Sequence, residues 1–236
     1  MDPEAARAAI AAYPPVLVDP MSNPYWQRVL EWAPTTIWGQ ATLGWRYDAY
    51  DLPYPVGHHV GGLAERLLLQ QECVRQYAYT ITSPDTVQFV LKHCGPGVVD
   101  PLAGSGYWAD LLARSGGVDV AASDLRPPER TWCTVARSDA VDAVHNAAAA
   151  RTLLLSWPPL GDPVGARLVE AYRRQPHPTG GRRIVYMGEL DGCCGDEDMT
   201  AELNRHWRVV ARHSPPVWRS ASQDCEDEDV LVFDLT

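Results

Sequence analysis

The chain has 236 residues, with 20 basic and 30 acidic side chains and a net charge of −10. That balance, with Lys92 as the single lysine, argues against a nucleic-acid partner, because a phosphate backbone is held by positive charge. No leading apolar run and no stretch of eighteen apolar residues occurs, so a chain that is neither exported nor membrane-spanning is expected.

The first ninety residues carry helices and rings but no motif. Pro3 to Ala12 and Tyr25 to Trp32 read as helical stretches. Residues 33–60 place Trp38, Trp45, Tyr47, Tyr50 and Tyr54 among Gly and Pro without a period, which reads as an ordered irregular segment. His58 and His59 close that segment. Either could act as a general base, because imidazole titrates near neutral pH. From Gly62 to Tyr77 the spacing predicts a helix, with Leu63, Leu67, Leu68, Gln71 and Val74 on one face. Ser83-Pro84 is a start signal for a helix over Asp85 to His93.

Residues 98–124, VVDPLAGSGYWADLLARSGGVDVAASD, are the most informative part of the chain. A short apolar strand (Val98, Val99) runs into Asp100. The small-residue turn Ala103-Gly104-Ser105-Gly106 follows, and a helix opens at Tyr107. The helix stops at Gly116-Gly117, where glycine accepts a left-handed C-cap. A second strand, Val118 to Ala122, leads to Asp124. Such a turn lets main chain approach a ligand with no Cβ in the way. The helix N-terminus offers free N–H groups, and an acid ending the second strand can receive ribose hydroxyls. The unit predicts a nucleoside-cofactor site.

Two readings of the turn are open from spacing. Gly104-x-Gly106-x-x-Ala109, with Asp124 eighteen residues after Gly106, satisfies the dinucleotide fingerprint. Asp100-Pro101-x-Ala103-Gly104-Ser105-Gly106 resembles motif I of class I S-adenosylmethionine (SAM)-dependent methyltransferases, in the form many amino-methylating DNA enzymes use. Only 130 residues follow Gly106, which favours the methyltransferase order over a dehydrogenase with a second domain behind it. The resemblance spans about residues 80–236. It implies an α/β fold, a Rossmann-like seven-stranded methyltransferase sheet, mostly parallel with an antiparallel last strand, preceded by an N-terminal helical lid. Residues 1–82 are expected to form the lid and 83–236 the SAM-binding domain.

The later segments fit that order. Asp139 falls where the family places an acid or polar group beside the adenine. Arg151 to Leu155 is a buried-strand run that closes in Ser156-Trp157-Pro158-Pro159-Leu160, similar to the family's motif IV. Trp157 stands in place of its polar residue and Leu160 in place of its aromatic. Trp157 cannot accept a hydrogen bond from an amine, so the DNA-enzyme route to base methylation is disfavoured. Asp162-Pro163 predicts a helix start with proline at N1, and Val164, Leu168, Ala171 and Tyr172 give the helix an apolar stripe. Arg183 to Met187 is the fifth strand. Met199, Leu203 and Trp207 mark another helix. Arg208 to Arg212 and Val230 to Leu235 are the last strands. Glu226 to Asp229 reads as a solvated acidic turn.

The resemblance implies SAM as cofactor, held by Asp100, Ala103, Gly104, Gly106, Trp108, Asp124, Leu125, Asp139, Ala140 and Ser156. Tyr54, Trp157 and Pro158 are candidates to touch the acceptor, and His58, His59 and Glu189 to act on its proton. No set of residues has metal-ligand spacing. Six cysteines (73, 94, 133, 193, 194 and 225) form no CxxC pair, and reduced thiols in a cytoplasm are expected. The function so implied is methyl transfer to a small molecule, and the Pro- and Ala-rich, lysine-poor composition suggests specialised-metabolite biosynthesis as the setting. A nucleic-acid base methyltransferase and a non-catalytic SAM-binding protein stay open beside it. Oligomeric state is not legible.

Overall fold

The computed structural model describes residues 23–29, 45–47, 53–55, 71–147, 151–176, 182–216 and 228–236. The expected Pro3–Ala12 helix, His58 and His59 lie outside them. Seven strands form one sheet: β1 (Gly97–Asp100), β2 (Asp119–Asp124), β3 (Ala136–Arg137), β4 (Thr152–Ser156), β5 (Arg183–Gly188), β6 (Trp207–His213) and β7 (Asp229–Leu235). Their order in space is β3-β2-β1-β4-β5-β7-β6. All neighbours from β3 across to β5 are parallel. The chain's last strand, β7, is antiparallel to both β5 and β6. This is the α/β, Rossmann-like seven-stranded sheet that the sequence predicts. A separate two-stranded ribbon pairs Trp45–Tyr47 with Pro53–Pro55.

The connections explain where a ligand can sit. From β1 the chain moves outward to β2 and β3, then returns to β4 on the other side of β1. Loops leaving β1 and β4 therefore diverge, and a crevice opens beyond the carboxyl ends of these strands.

Strand residues alternate between two buried faces, as expected of a covered parallel sheet. Val98, Leu154, Val185 and Met187 share one core with α1 (Pro84–Cys94), α2 (Tyr107–Gly116) and residues 25–29. Val99, Leu153, Leu155, Ile184 and Tyr186 face the other core, with α3 (Ala140–Asn146), α4 (Val164–Arg174) and α5 (Glu197–His206). Each fully buried Leu or Val contributes roughly 1.5–3 kcal/mol relative to exposure.

The helix boundaries follow from capping chemistry. Ser83 Oγ accepts from Thr86 N–H at 3.3 Å to start α1. Gly117, at φ 63°, closes α2 in the left-handed region, and its N–H reaches Ala113 O. At α4 the N-cap position is Pro163, whose carbonyl accepts from Arg167 N–H at 3.1 Å, and Asp162 Oδ1 accepts from Val164 N–H at 2.9 Å. Trp207 is the first residue of β6 and not the end of a helix.

Two local expectations are corrected. In the described turn of the Gly62–Tyr77 stretch, 71–76 is helical, but Gln71 is exposed. Cys73 and Tyr77, four residues apart, are the buried pair, because Tyr77 stacks at 5.0 Å on Tyr25. The thiol expectation also fails in part. Cys193 is disulfide-bonded, while Cys73, Cys94, Cys133 and Cys194 are free.

Candidate functional site

The loops after β1, β2 and β4 enclose a cavity of about 610 Å³, within the range of roughly 300–1,000 Å³ usual for small-molecule sites. Asp100, at the end of β1, forms part of its wall, with Leu102, Ala103, Gly104 and Ser105 of the turn and Trp108 of α2. Asp124, Leu125 and Arg126 line it from the end of β2. Asp139 and Ala140 contribute from the start of α3, and Ser156, Trp157, Pro159, Asp162, Val164 and Arg167 from the segment after β4. Val74, Tyr77, Ala78 and Tyr79 form the remaining side.

Asp124 organises the turn before any ligand is considered. Its Oδ2 accepts from Gly104 N–H at 3.0 Å and its Oδ1 from Arg126 N–H at 2.8 Å. Each carboxylate oxygen has a further lone pair left for a hydroxyl. Gly104 sits at φ 52°, and a Cβ built on it would meet nothing within 4 Å. Gly106 differs. At φ 74° it is the N-cap of α2, and a Cβ there would stand 2.7 Å from Val135 Cγ2 and 2.9 Å from Cys133 Sγ. Its bareness serves the packing of residues 133–135 on the helix end, and Gly106 is not a cavity residue.

Asp100 is 1% exposed, and its Oδ1 has no hydrogen-bond partner. Burial pushes its carboxyl up to about 7, a main-chain hydrogen bond from Leu102 opposes this, and the nearby Asp124 charge adds to it. Trp108, 3% exposed, likewise keeps its indole N–H without a partner. Two residues that line the cavity thus each bury one polar side-chain atom without a partner, each a cost of about 1–3 kcal/mol while unmet.

Asp139 has a structural duty at the cavity rim. Its Oδ1 caps α3, accepting from Val141 N–H at 2.9 Å and Asp142 N–H at 3.4 Å. Trp157 stands at φ 46°, a left-handed conformation costly for a bulky residue. Its N–H bonds to Met187 O at 2.8 Å, holding the exit of β4 against β5. Its indole Nε1–H donates to Glu228 Oε1 at 3.0 Å and to Thr80 Oγ1 at 3.1 Å. Thr80 also donates to Glu228 Oε1. Tyr79 stacks on the indole with centroids 4.9 Å apart.

Glu228 overturns the expectation of a solvated acidic turn. It is 7% exposed, and burial raises its carboxyl to about 7, with Thr80 and Trp157 opposing the rise and the Asp229 and Glu189 charges assisting it. Asp229, its neighbour, pairs with Arg212 at 2.6 Å.

Of the candidate site residues, Asp100, Ala103, Gly104, Trp108, Asp124, Leu125, Asp139, Ala140, Ser156 and Trp157 come together at the cavity. Pro158 is buried beside it, and its carbonyl accepts from Gly195 N–H at 2.9 Å. Glu189 is not in the wall, and its Oε2 accepts from Cys193 N–H at 3.1 Å within its own loop. Tyr54 pairs with Arg46 in the two-stranded ribbon. Sequence reasoning missed Tyr77, Tyr79, Arg126, Asp162 and Arg167 in the wall and Glu228 behind it. Only the ring content of 77–79 hinted at any of them.

No protein-family model matches the chain, and no curated protein matches it. Among solved structures, it is similar to the N-methyltransferase NodS from Bradyrhizobium japonicum WM9, with 14% identity over 64% of this chain and 93% of that one, at a TM-score of 0.45. A SAM-dependent O-methyltransferase from Thermotoga maritima aligns with 16% identity over 82% of this chain and 77% of that one, at a TM-score of 0.42. A putative rRNA-methylase from Clostridium thermocellum aligns with 12% identity over 64% of this chain and 96% of that one, at a TM-score of 0.43.

Proposed function

We propose that the chain is a SAM-dependent methyltransferase acting on a small molecule. One observation carries the reading: the motif-I turn opens onto a cavity lined by Asp100 and Trp108, whose buried Oδ1 and Nε1–H have no partner within the protein. An α-amino acid group supplies the complements, ammonium for the first and carboxylate for the second. Asp124, at the end of β2, has lone pairs left for a ribose diol. The open space over Gly104 admits a ligand close to main chain. SAM combines these three groups, and when bound it supplies an activated sulfonium methyl.

The chain's own residues then bind and orient. Asp100 and Trp108 fix the amino-acid end, Asp124 the sugar, and Leu125 and Ala140 offer apolar contact to a base beside Asp139. Trp157 and Tyr79 wall the cavity on the side away from β2, where an acceptor enters. Holding donor and acceptor in line is the main contribution required, since the methyl is already activated. His58, His59 and Glu189 remain candidates to take a proton where the acceptor has one to lose.

Isothermal titration of the full chain with S-adenosylhomocysteine and with NAD tests the reading. Micromolar binding of the first and none of the second is the expected result. Binding of NAD alone would replace it with a dinucleotide site.

A further inference from the structure

Every acid that lines the cavity already has a donor within the protein. Asp100 accepts from the Leu102 main chain, Asp124 from Gly104 and Arg126, Asp139 from Val141 and Asp142, and Asp162 from Val164. The two arginines in the wall, Arg126 and Arg167, are placed otherwise. Their main-chain N–H groups meet Asp124 Oδ1 at 2.8 Å and Pro163 O at 3.1 Å, but among the described residues neither guanidinium has an acceptor. Arg126 follows the acid assigned to the ribose, where SAM is uncharged. Arg167 belongs to α4, in the segment after β4 that also gives Trp157, Pro159 and Val164 to the wall. On this side of the cavity the charged groups in the wall are Asp162 and Arg167, because Glu228 lies behind Trp157 and does not line the space. Asp162 is tied to the start of α4 through Val164 N–H at 2.9 Å. Arg167 keeps a planar fork of donors, which suits a carboxylate held by two parallel hydrogen bonds. The rings of Trp157 and Tyr79, with Pro159 and Val164, suit an apolar body attached to that carboxylate. Asp162 and the other acids of the wall oppose a second negative charge, so a carboxylate fits better than a phosphate dianion.

We infer that the methyl acceptor is an apolar or aromatic carboxylic acid, its carboxylate received by Arg167 and its body set against Trp157, Tyr79 and Val164. Arg167 is then the residue that sets acceptor specificity. This deepens the methyl-transfer reading and rests on it for the role of the acid as acceptor.

The test titrates 3-phenylpropionate and its neutral isostere 3-phenylpropanamide into the full chain at neutral pH, where the acid is ionised, with and without S-adenosylhomocysteine. The acid is expected to bind roughly fivefold or more tightly than the amide, as a charge-assisted contact requires. Arg167 is exposed, so Arg167→Gln leaves the fold intact. It is expected to abolish the preference for the acid while S-adenosylhomocysteine still binds. Arg126→Gln, which keeps the main-chain N–H to Asp124, is expected to leave the preference in place. Equal binding of the two probes, failure of both to bind, or a preference that survives Arg167→Gln each overturns the inference. So does a preference lost in Arg126→Gln alone, or loss of S-adenosylhomocysteine binding in Arg167→Gln, since either moves the guanidinium's role to the donor side. Preference for the acid without any S-adenosylhomocysteine binding to the wild-type chain would sink the donor assignment and leave the carboxylate site standing.

Discussion

Replacing Asp100 by Asn should make the ligand-free protein more stable and its ligand binding worse. Asp100 is buried at the end of β1, and its carboxyl lies at about 7 against an ordinary 3.8. The fold therefore favours the protonated form. Its contribution to stability is fully present below about 3.8 and is lost as pH rises through about 7. Above that, the difference between 3.8 and about 7 corresponds to roughly 4 kcal/mol of penalty for burying the ionised group. Asn removes the charge, keeps an oxygen for the Leu102 N–H, and adds an amide that can cost about 1–3 kcal/mol if unmet. A net gain of about 1–3 kcal/mol at pH 8 is expected, which is several degrees in Tm at about 2–4 °C per kcal/mol for a chain of this size. The gain should shrink steadily toward pH 4.

Ligand binding should move the other way. An ammonium bound at Asp100 favours the carboxylate, so wild-type affinity for S-adenosylhomocysteine should rise with pH through about 7. In Asp100→Asn the affinity should be lower and that pH slope absent. Denaturant melts across pH 4–8, paired with titrations at pH 6 and 8, read both effects. A variant no more stable than wild type at pH 8, or a stability difference that does not change with pH, would refute the assignment of Asp100 as a desolvated carboxylate awaiting a cation.

Three further outcomes are expected. Asp124→Ala should weaken S-adenosylhomocysteine by roughly 1.5–3 kcal/mol, about 10- to 150-fold. Because Asp124 also ties Gly104 and Arg126, Tm should fall modestly as well, and an unchanged Kd would remove it as the ribose acid. Gly106→Val should unfold or strongly destabilise the chain, since its Cβ would meet Val135 and Cys133 within 3 Å. Gly104→Ala should cost only about 1 kcal/mol of stability while lowering ligand affinity, and the reverse ranking in melts would show the turn to be misread. His213, hydrogen-bonded to Thr86 at 3.1 Å, is pushed down to about 4 by burial. Its contribution to stability is present above 6.5 and lost as pH falls from 6.5 toward 4. His213→Gln should therefore flatten the acid limb of a Tm–pH curve by about 1–2 kcal/mol, allowing for partial exposure; an acid limb identical to wild type would remove His213 as its cause.

What was legible in the sequence was local. The strand, turn, helix and acid of residues 97–124 lie within one βαβ unit, so spacing alone orders their roles, and Ser83 and Gly117 announce their helix ends through chemistry confined to one turn. Strands β4, β5 and β7 show as apolar runs because both faces of the sheet are covered. The two-residue β3 carries no period to read, and α3 is too short for one. Asp139 sat in the right place for a base-side acid, yet its first duty is to cap α3, and sequence position cannot separate the two.

Glu228 was misread for a different reason. Inside Glu226-Asp227-Glu228-Asp229 it looks like solvent-facing charge, and what buries it comes from far along the chain, 148 residues away at Thr80 and 71 at Trp157. Charge runs signal solvation only when every member can turn outward. In an extended segment entering a strand, neighbours alternate sides. Asp229 reaches Arg212 at the sheet edge, and Glu228 is carried the opposite way, under Trp157. The substitution of Trp for the polar residue of the motif-IV-like segment then has a local counterpart. The indole takes up a left-handed φ at the β4 exit and needs an acceptor for its N–H, and Glu228 is that acceptor. The carboxylate behind Trp157 thus comes from the residue that precedes β7, and it is displaced by more than seventy residues in sequence from the position where the motif would place polarity.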